Sequence, residues 1–214
     1  MNAVRTFVTA VLAVTTLAGV ASAQVESDPL VIDSITAVVN DDIILARELE
    51  ARVALLVKAG AGSTTDETVQ KIALDALIEE ALVAQAARTV GLKVTEEEVT
   101  AAISQIMQTN GINDEQLGVA LAEQGYTLAT YRQSIHGELV RYRMIVYVVQ
   151  PSIQITDQHV KEAYEHVKLT QGDGVGSLED LKGPIRDQLY QEATINGTQQ
   201  WLDQLRRESY IDLR

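Results

Sequence analysis

Ile35-Thr36-Ala37-Val38-Val39-Asn40-Asp41-Asp42-Ile43-Ile44-Leu45 reads as a strand, a tight turn and a second strand. β-Branched residues fill both arms, Val31 and Ile32 extend the first, and Asn40-Asp41-Asp42 is turn chemistry. A two-stranded hairpin is marginal in water unless a further strand or a helix covers it. A helix follows at once, over about Ala46 to Lys58, with Leu49, Val53, Leu56 and Val57 on one face and Gly60-Ala61-Gly62-Ser63 behind it. At the far end of the chain Ser209-Tyr210-Ile211-Asp212-Leu213-Arg214 alternates like a short strand that has no local partner.

The stretch between reads as helices. From about Thr65 to Val90, Leu74, Leu77, Ile78, Ala81 and Leu82 fall on one face, and Ala73, Ala76, Ala84 and Ala87 on the other. A helix apolar nearly all round belongs at the centre of a bundle, and Gly91 suits its C-terminal cap. Thr95-Glu96-Glu97-Glu98 is a capping box opening a helix with Val99, Ala102, Ile103, Ile106 and Met107 inward. A shorter helix from Asn113 carries Leu117, Ala120 and Leu121. Thr127 caps a long one, with Leu128, Tyr131, Ile135, Leu139, Tyr142, Val146 and Val149 as its expected stripe and Pro151 as its stop. Ile155-Thr156-Asp157 opens another, with Val160, Ala163, Tyr164 and Val167 apolar. After the Gly-rich run Gln171–Gly176, Ser177 starts the last helical region, lined by Ile185, Leu189, Trp201, Leu202 and Leu205. Gly183-Pro184 there either kinks the helix or places Pro in the first turn of its main segment.

Residues 1–23 have the form of a cleaved signal peptide: Arg5, an apolar stretch from Phe7 to Val20, and Ala21-Ser22-Ala23. That stretch is short for a membrane span and is broken by Thr9, Thr15, Thr16 and Gly19. Cleavage would leave Gln24 first and 16 basic residues against 30 acidic ones, a net charge of −14. Such a charge disfavours nucleic acid and anionic lipid as partners, and no stable membrane insertion is expected. The chain has no Cys, which excludes disulfides and thiolate metal sites.

Chemistry-bearing patterns are weak. His136, His159 and His166 lack the i, i+4 spacing of a helical metal pair. Glu79-Glu80 and Glu96-Glu97-Glu98 suit helix surfaces and a helix start better than a paired acid and base. Gly172, Gly174 and Gly176 follow no strand and precede no phosphate-loop Lys, so a flexible bridge is the better reading. Asn196-Gly197-Thr198 is a sequon by pattern alone. Arg132, Arg141 and Arg143 form a basic patch, expected either as a solvated face or opposite Asp187 and Glu192. Catalytic residues, metal and cofactor are therefore all expected to be absent.

The order of these elements resembles the SurA family of periplasmic chaperones. Ile35 to Ile44 with Arg47-Glu48-Leu49 resembles the family's opening hairpin, and Ala73-Leu74-Asp75-Ala76-Leu77-Ile78-Glu79-Glu80 its central helix. Gly91-Leu92-Lys93-Val94-Thr95-Glu96-Glu97-Glu98-Val99, Ile155-Thr156-Asp157 and Tyr210-Ile211-Asp212-Leu213-Arg214 are similar to its next turn and cap, the start of its helix that leads into the isomerase domain, and its closing strand. The resemblance implies a mostly α fold: a helical bundle with a small antiparallel sheet formed by the N-terminal hairpin and the C-terminal strand. It implies a chaperone domain over 24–169, a loop at 170–176 where relatives carry parvulin-type prolyl isomerase domains, and a returning segment over 177–214. The implied function is an ATP-independent periplasmic holdase for unfolded outer-membrane or periplasmic polypeptides, without isomerase activity. Met107, Tyr126, Tyr131, Met144 and Tyr147 are the candidate peptide contacts. The rival is a dedicated assembly or structural partner, with a homodimer formed by swapping the C-terminal helix as one arrangement.

Overall fold

The computed structural model describes residues 33–172, 174 and 176–214. The expected leader, and Val31 and Ile32 of the first strand, lie outside them. Strands β1 (Ile35–Val39) and β2 (Asp42–Leu45) form the hairpin. Helices α1 (Ala46–Lys58), α2 (Glu67–Thr89), α3 (Glu96–Asn110), α4 (Asp114–Gln124) and α5 (Leu128–Met144) follow. A π turn, Ile145–Val149, and a 3-10 turn, Gln150–Ser152, end α5. Helices α6 (Asp157–Gln171) and α7 (Leu178–Glu208) and strand β3 (Ile211–Leu213) complete the chain.

The sheet has the order β2-β1-β3, and both neighbours run antiparallel to β1. Alternation decides its faces. Ala37 and Val39, with Ile44 opposite Ala37, are buried against Ile78 and Leu82 of α2. Val38 and Ile43 pair on the other face, where Ile43 is exposed. Leu205 and Ile211 pack on the same core, so the C-terminal strand does complete the hairpin, at the open edge of β1.

Asn40 fixes that joint. Its φ of 53° is left-handed, a conformation that Asn tolerates better than most residues. Its backbone N–H donates to the Tyr210 carbonyl, and its side-chain oxygen accepts from the Tyr210 N–H, both at 2.8 Å. Its Nδ2 donates to Gln85 and Ser209. The first turn, the central helix and the last helix are thus bonded through one side chain.

Helix α2 turns successive buried positions to different neighbours, which is why it reads as apolar all round. Val69 and Ala73 meet Val53 of α1; Ile78 and Leu82 meet the sheet; Val83 and Ala87 meet Val140 and Met144 of α5 and Leu202 of α7. Local caps agree with the sequence at α3, where Thr95 and Glu98 form the reciprocal box, and Asp66 caps α2. Helix α7 runs unbroken through Pro184. The proline removes a donor to the Asp180 carbonyl, and both residues lie on the exposed side, which leaves that carbonyl open to solvent. Ile185, one residue on, is buried. Between α6 and α7 the connection spans residues 172–177, far too few for a sheet-containing domain.

Candidate functional site: an apolar strip on α5 and the π turn

Helix α5 serves two cores in succession. After the Thr127 cap, Tyr131, Ile135 and Leu139 lean on Val99, Ile103, Leu117 and Leu121 of α3 and α4. One turn later Val140 and Met144 enter the core shared with α2 and α7. This change of face corrects the expected stripe. Leu128, the first residue of the helix, is exposed, and Tyr142 and Val146 are on the outside, with Tyr142 63% exposed, because beyond Leu139 the inner path runs 140, 144, 149 and not 142, 146, 149.

The consequence is a surface strip of large apolar side chains. Tyr142, Val146, Tyr147 and Val148 are all exposed, and Tyr147 is open at 62%. On α7, Tyr190 and Ile195 are exposed along the stretch leading to Gly197, where α7 meets Val149. Consecutive exposed apolar residues such as Val146-Tyr147-Val148 are a solubility liability unless they have a use. Covering such side chains removes apolar area from water and is worth on the order of 1 kcal/mol each.

The arginines beside this strip are already engaged. Arg143 binds Glu98, Arg132 binds Glu96 at 2.7 Å, and Arg141 lies 3.8 Å from Glu79. The expectation of a solvated face or of partners at Asp187 and Glu192 is therefore corrected: α3 and α2 supply the acids. The Arg143 guanidinium, helped by the Thr95 N–H, holds the Glu98 carboxyl below its ordinary range. Each of the three arginines is thus paired with an acid, and none of them gives the strip a preference for an anionic ligand.

The five candidate contacts separate. Tyr147 lies on the strip. Met144 is 1% exposed, packed with Val83, Ala87, Val140 and Leu202, and is core. Met107, Tyr126 and Tyr131 are half-buried around the α3–α4–α5 core, where the two tyrosine rings meet edge to face at 6.3 Å. Tyr142, Val146 and Val148 were not among the candidates: Met144 to Val149 is apolar throughout, so the sequence does not mark which of its side chains face outward.

Elsewhere, a polar hollow of about 650 Å³ is lined by Asn40, Asp41, Gln85, Arg88, Thr89 and Tyr210. Asn40, Gln85 and Arg88 are bonded within the joint, Arg88 through Asp42. The hollow is part of the hairpin joint rather than a ligand site. His159 closes the α6 cap by accepting from the Thr156 N–H at 3.4 Å. Among the described residues no three His, Asp or Glu side chains gather as metal ligands, and no helix is long and apolar enough to cross a membrane.

A helical bundle whose first hairpin is completed by its last strand has a counterpart in fold among solved SurA-like chaperones. A solved structure from work on two such proteins of Campylobacter jejuni, the virulence factor PEB4 and the periplasmic protein Cj1289, matches with a TM-score of 0.61. It shares 14% identity and covers 85% of this chain and 99% of its own. The sequence profile of the SurA N-terminal domain matches residues 32–145, and the chain belongs to that family. Chaperone SurA of Pseudomonas syringae pv. syringae is 33% identical over 134 residues, 61% of this chain and 31% of that one. Chaperone SurA of Xanthomonas oryzae pv. oryzae is 33% identical over 171 residues, 78% of this chain and 35% of that one. The chain thus spans about a third of the length of the curated relatives it matches.

Proposed function

We propose that the chain is a chaperone that holds non-native polypeptides, acting in the periplasm after cleavage of residues 1–23. Outer-membrane protein precursors are the proposed clients, and release needs no nucleotide. The domain plan is a chaperone domain over 24–169 closed by the returning segment 177–214, with 170–176 as the bridge. The observation that carries the reading is the exposed run Val146-Tyr147-Val148, with Tyr142, on a member of this family. An uncharged apolar segment is the occupant that suits it. The neighbouring arginines are paired, and after cleavage 16 basic residues against 30 acidic ones leave a charge of −14, which repels acidic chains and anionic lipid. Weak contacts of this kind grip without trapping.

The reading includes no isomerase activity, since the link 172–177 carries no parvulin domain. A coupled assay on a proline peptide should show the uncatalysed rate, on a timescale of roughly tens to hundreds of seconds. The central test is light scattering of several unrelated unfolded proteins, an outer-membrane barrel among them, with the pure chain and no nucleotide. Suppression of several clients near stoichiometric amounts supports the holdase. Unchanged scattering with all of them would make the chain a dedicated partner instead.

A further inference from the structure

We infer that the π turn Ile145–Val149, seated against Gly197, is the register device that turns the apolar strip outward and makes it a grip for polypeptide. The inference rests on the proposed polypeptide-holding function and deepens it.

Met144 and Val149 are both buried, at 1% and 3% exposure, and both face α7: Met144 packs with Leu202, and Val149 lies at Gly197. They are five residues apart. In an α-helix, at about 100° per residue, five residues point side chains roughly 140° apart, and the two could not share a face. A π turn bonds i to i+5 and brings the fifth residue back beneath the first. Four residues then intervene where an α-turn has three, and three of the four, Val146, Tyr147 and Val148, are exposed. Single π turns inside helices are rare and concentrate at functional sites.

Gly197 is the matching feature on α7. A Cβ there would lie 2.7 Å from Val149 Cγ1, too close for any real contact. Val149 is stiff and buried, so it has little room to yield. Gly197 therefore lets α7 approach the wide turn, and is a positioning residue for the strip.

Deletion of Val148 is the direct test. It makes Val149 the fourth residue after Met144, so an ordinary α-turn keeps both side chains in the core. The expected variant keeps the wild-type melting temperature or exceeds it. Its affinity for a fluorescently labelled, urea-diluted outer-membrane barrel polypeptide falls by about tenfold, the scale of one strong contact cluster. Val148→Ala, which keeps the turn and trims one side chain, should lose far less. Gly197→Ala should weaken binding, and Gly197→Ala with Val149→Ala should restore it, because the second change removes the clashing methyl.

A folded deletion variant that binds as the wild type does would overturn the inference, as would a Val148→Ala loss equal to that of the deletion. If the deletion variant does not fold, the Gly197 pair decides at a temperature where circular dichroism shows both variants folded. Unchanged binding by Gly197→Ala, or no recovery in the double variant, overturns it. A wild-type chain that binds no client refutes the proposed function itself, a separate outcome read before any variant is made.

Discussion

Asn40 shows how much one residue can hold. Its backbone conformation shapes the turn, and its side chain bonds Gln85, Ser209 and the Tyr210 N–H. Hydrogen bonds of this kind contribute about 1 kcal/mol each, and a left-handed Ala adds a further penalty. Asn40→Ala should lower stability by about 2–3 kcal/mol, read from the urea midpoint. Asn40→Gly, which relieves the backbone and loses the bonds, should lie between. Asp42 next to it adds a pH dependence. Burial pushes its carboxyl up, but hydrogen bonds from Gln85 and Arg88 outweigh this and hold it below the ordinary 3.8. A depressed carboxyl gives stability that is present above 3.8 and lost as pH falls through its lower folded value. Asp42→Asn should therefore be less stable than wild type at neutral pH, with the gap narrowing below 3.8. Urea titrations at neutral and acidic pH measure the convergence.

At the scale of elements, glycines sort by what surrounds them. An added Cβ meets nothing within 4 Å at Gly118 in α4 or Gly137 in α5. Either one changed to Ala should raise stability by about 0.5–1 kcal/mol through helix propensity alone, whereas Gly197→Ala should lower it. Thermal melts of the three variants give the contrast. The same division governs what the sequence discloses. Thr95-Glu96-Glu97-Glu98 was legible as a cap because the box closes within four residues. The stripe Ile185, Leu189, Trp201, Leu202 and Leu205 was legible because α7 keeps its period. The lower half of α5 was not legible. Its inner face moves from one core to another, and the π turn shifts the count by one residue, so Met144 was a candidate peptide contact and Tyr142 fell on the expected inner stripe. The partners of Arg132, Arg141 and Arg143 depended on which helices lie alongside, and local spacing carries no such information.

The whole molecule depends on its two ends meeting. Strand β3 pairs with β1, and Leu202 and Leu205 of α7 enter two separate cores. The strand's place was readable through the family resemblance; from residues alone it was a strand without a partner. Trp201, the single tryptophan, packs beside Leu202 and reports on α7. Its fluorescence and the far-ultraviolet circular dichroism should melt together, as one cooperative unit does. A chain ending at 176 should melt at a clearly lower temperature. It loses Ile185 and Leu202 from buried sites, each worth roughly 1.5–3 kcal/mol against a total of about 5–15. Equal melting temperatures would mean that 177–214 does not dock on the rest.

The central claim is that the strip on α5 and the π turn is where a non-native chain is held. Photocrosslinking tests it most directly. A benzoylphenylalanine is placed in turn at Tyr142, Tyr147 and, as an exposed control on another helix, Gln158 on α6, and each protein is irradiated with an unfolded outer-membrane barrel polypeptide. The account predicts strong capture from positions 142 and 147 and weak capture from 158. Capture from 158 equal to that from 147, or none from 142 and 147 while the client is demonstrably bound, would contradict it.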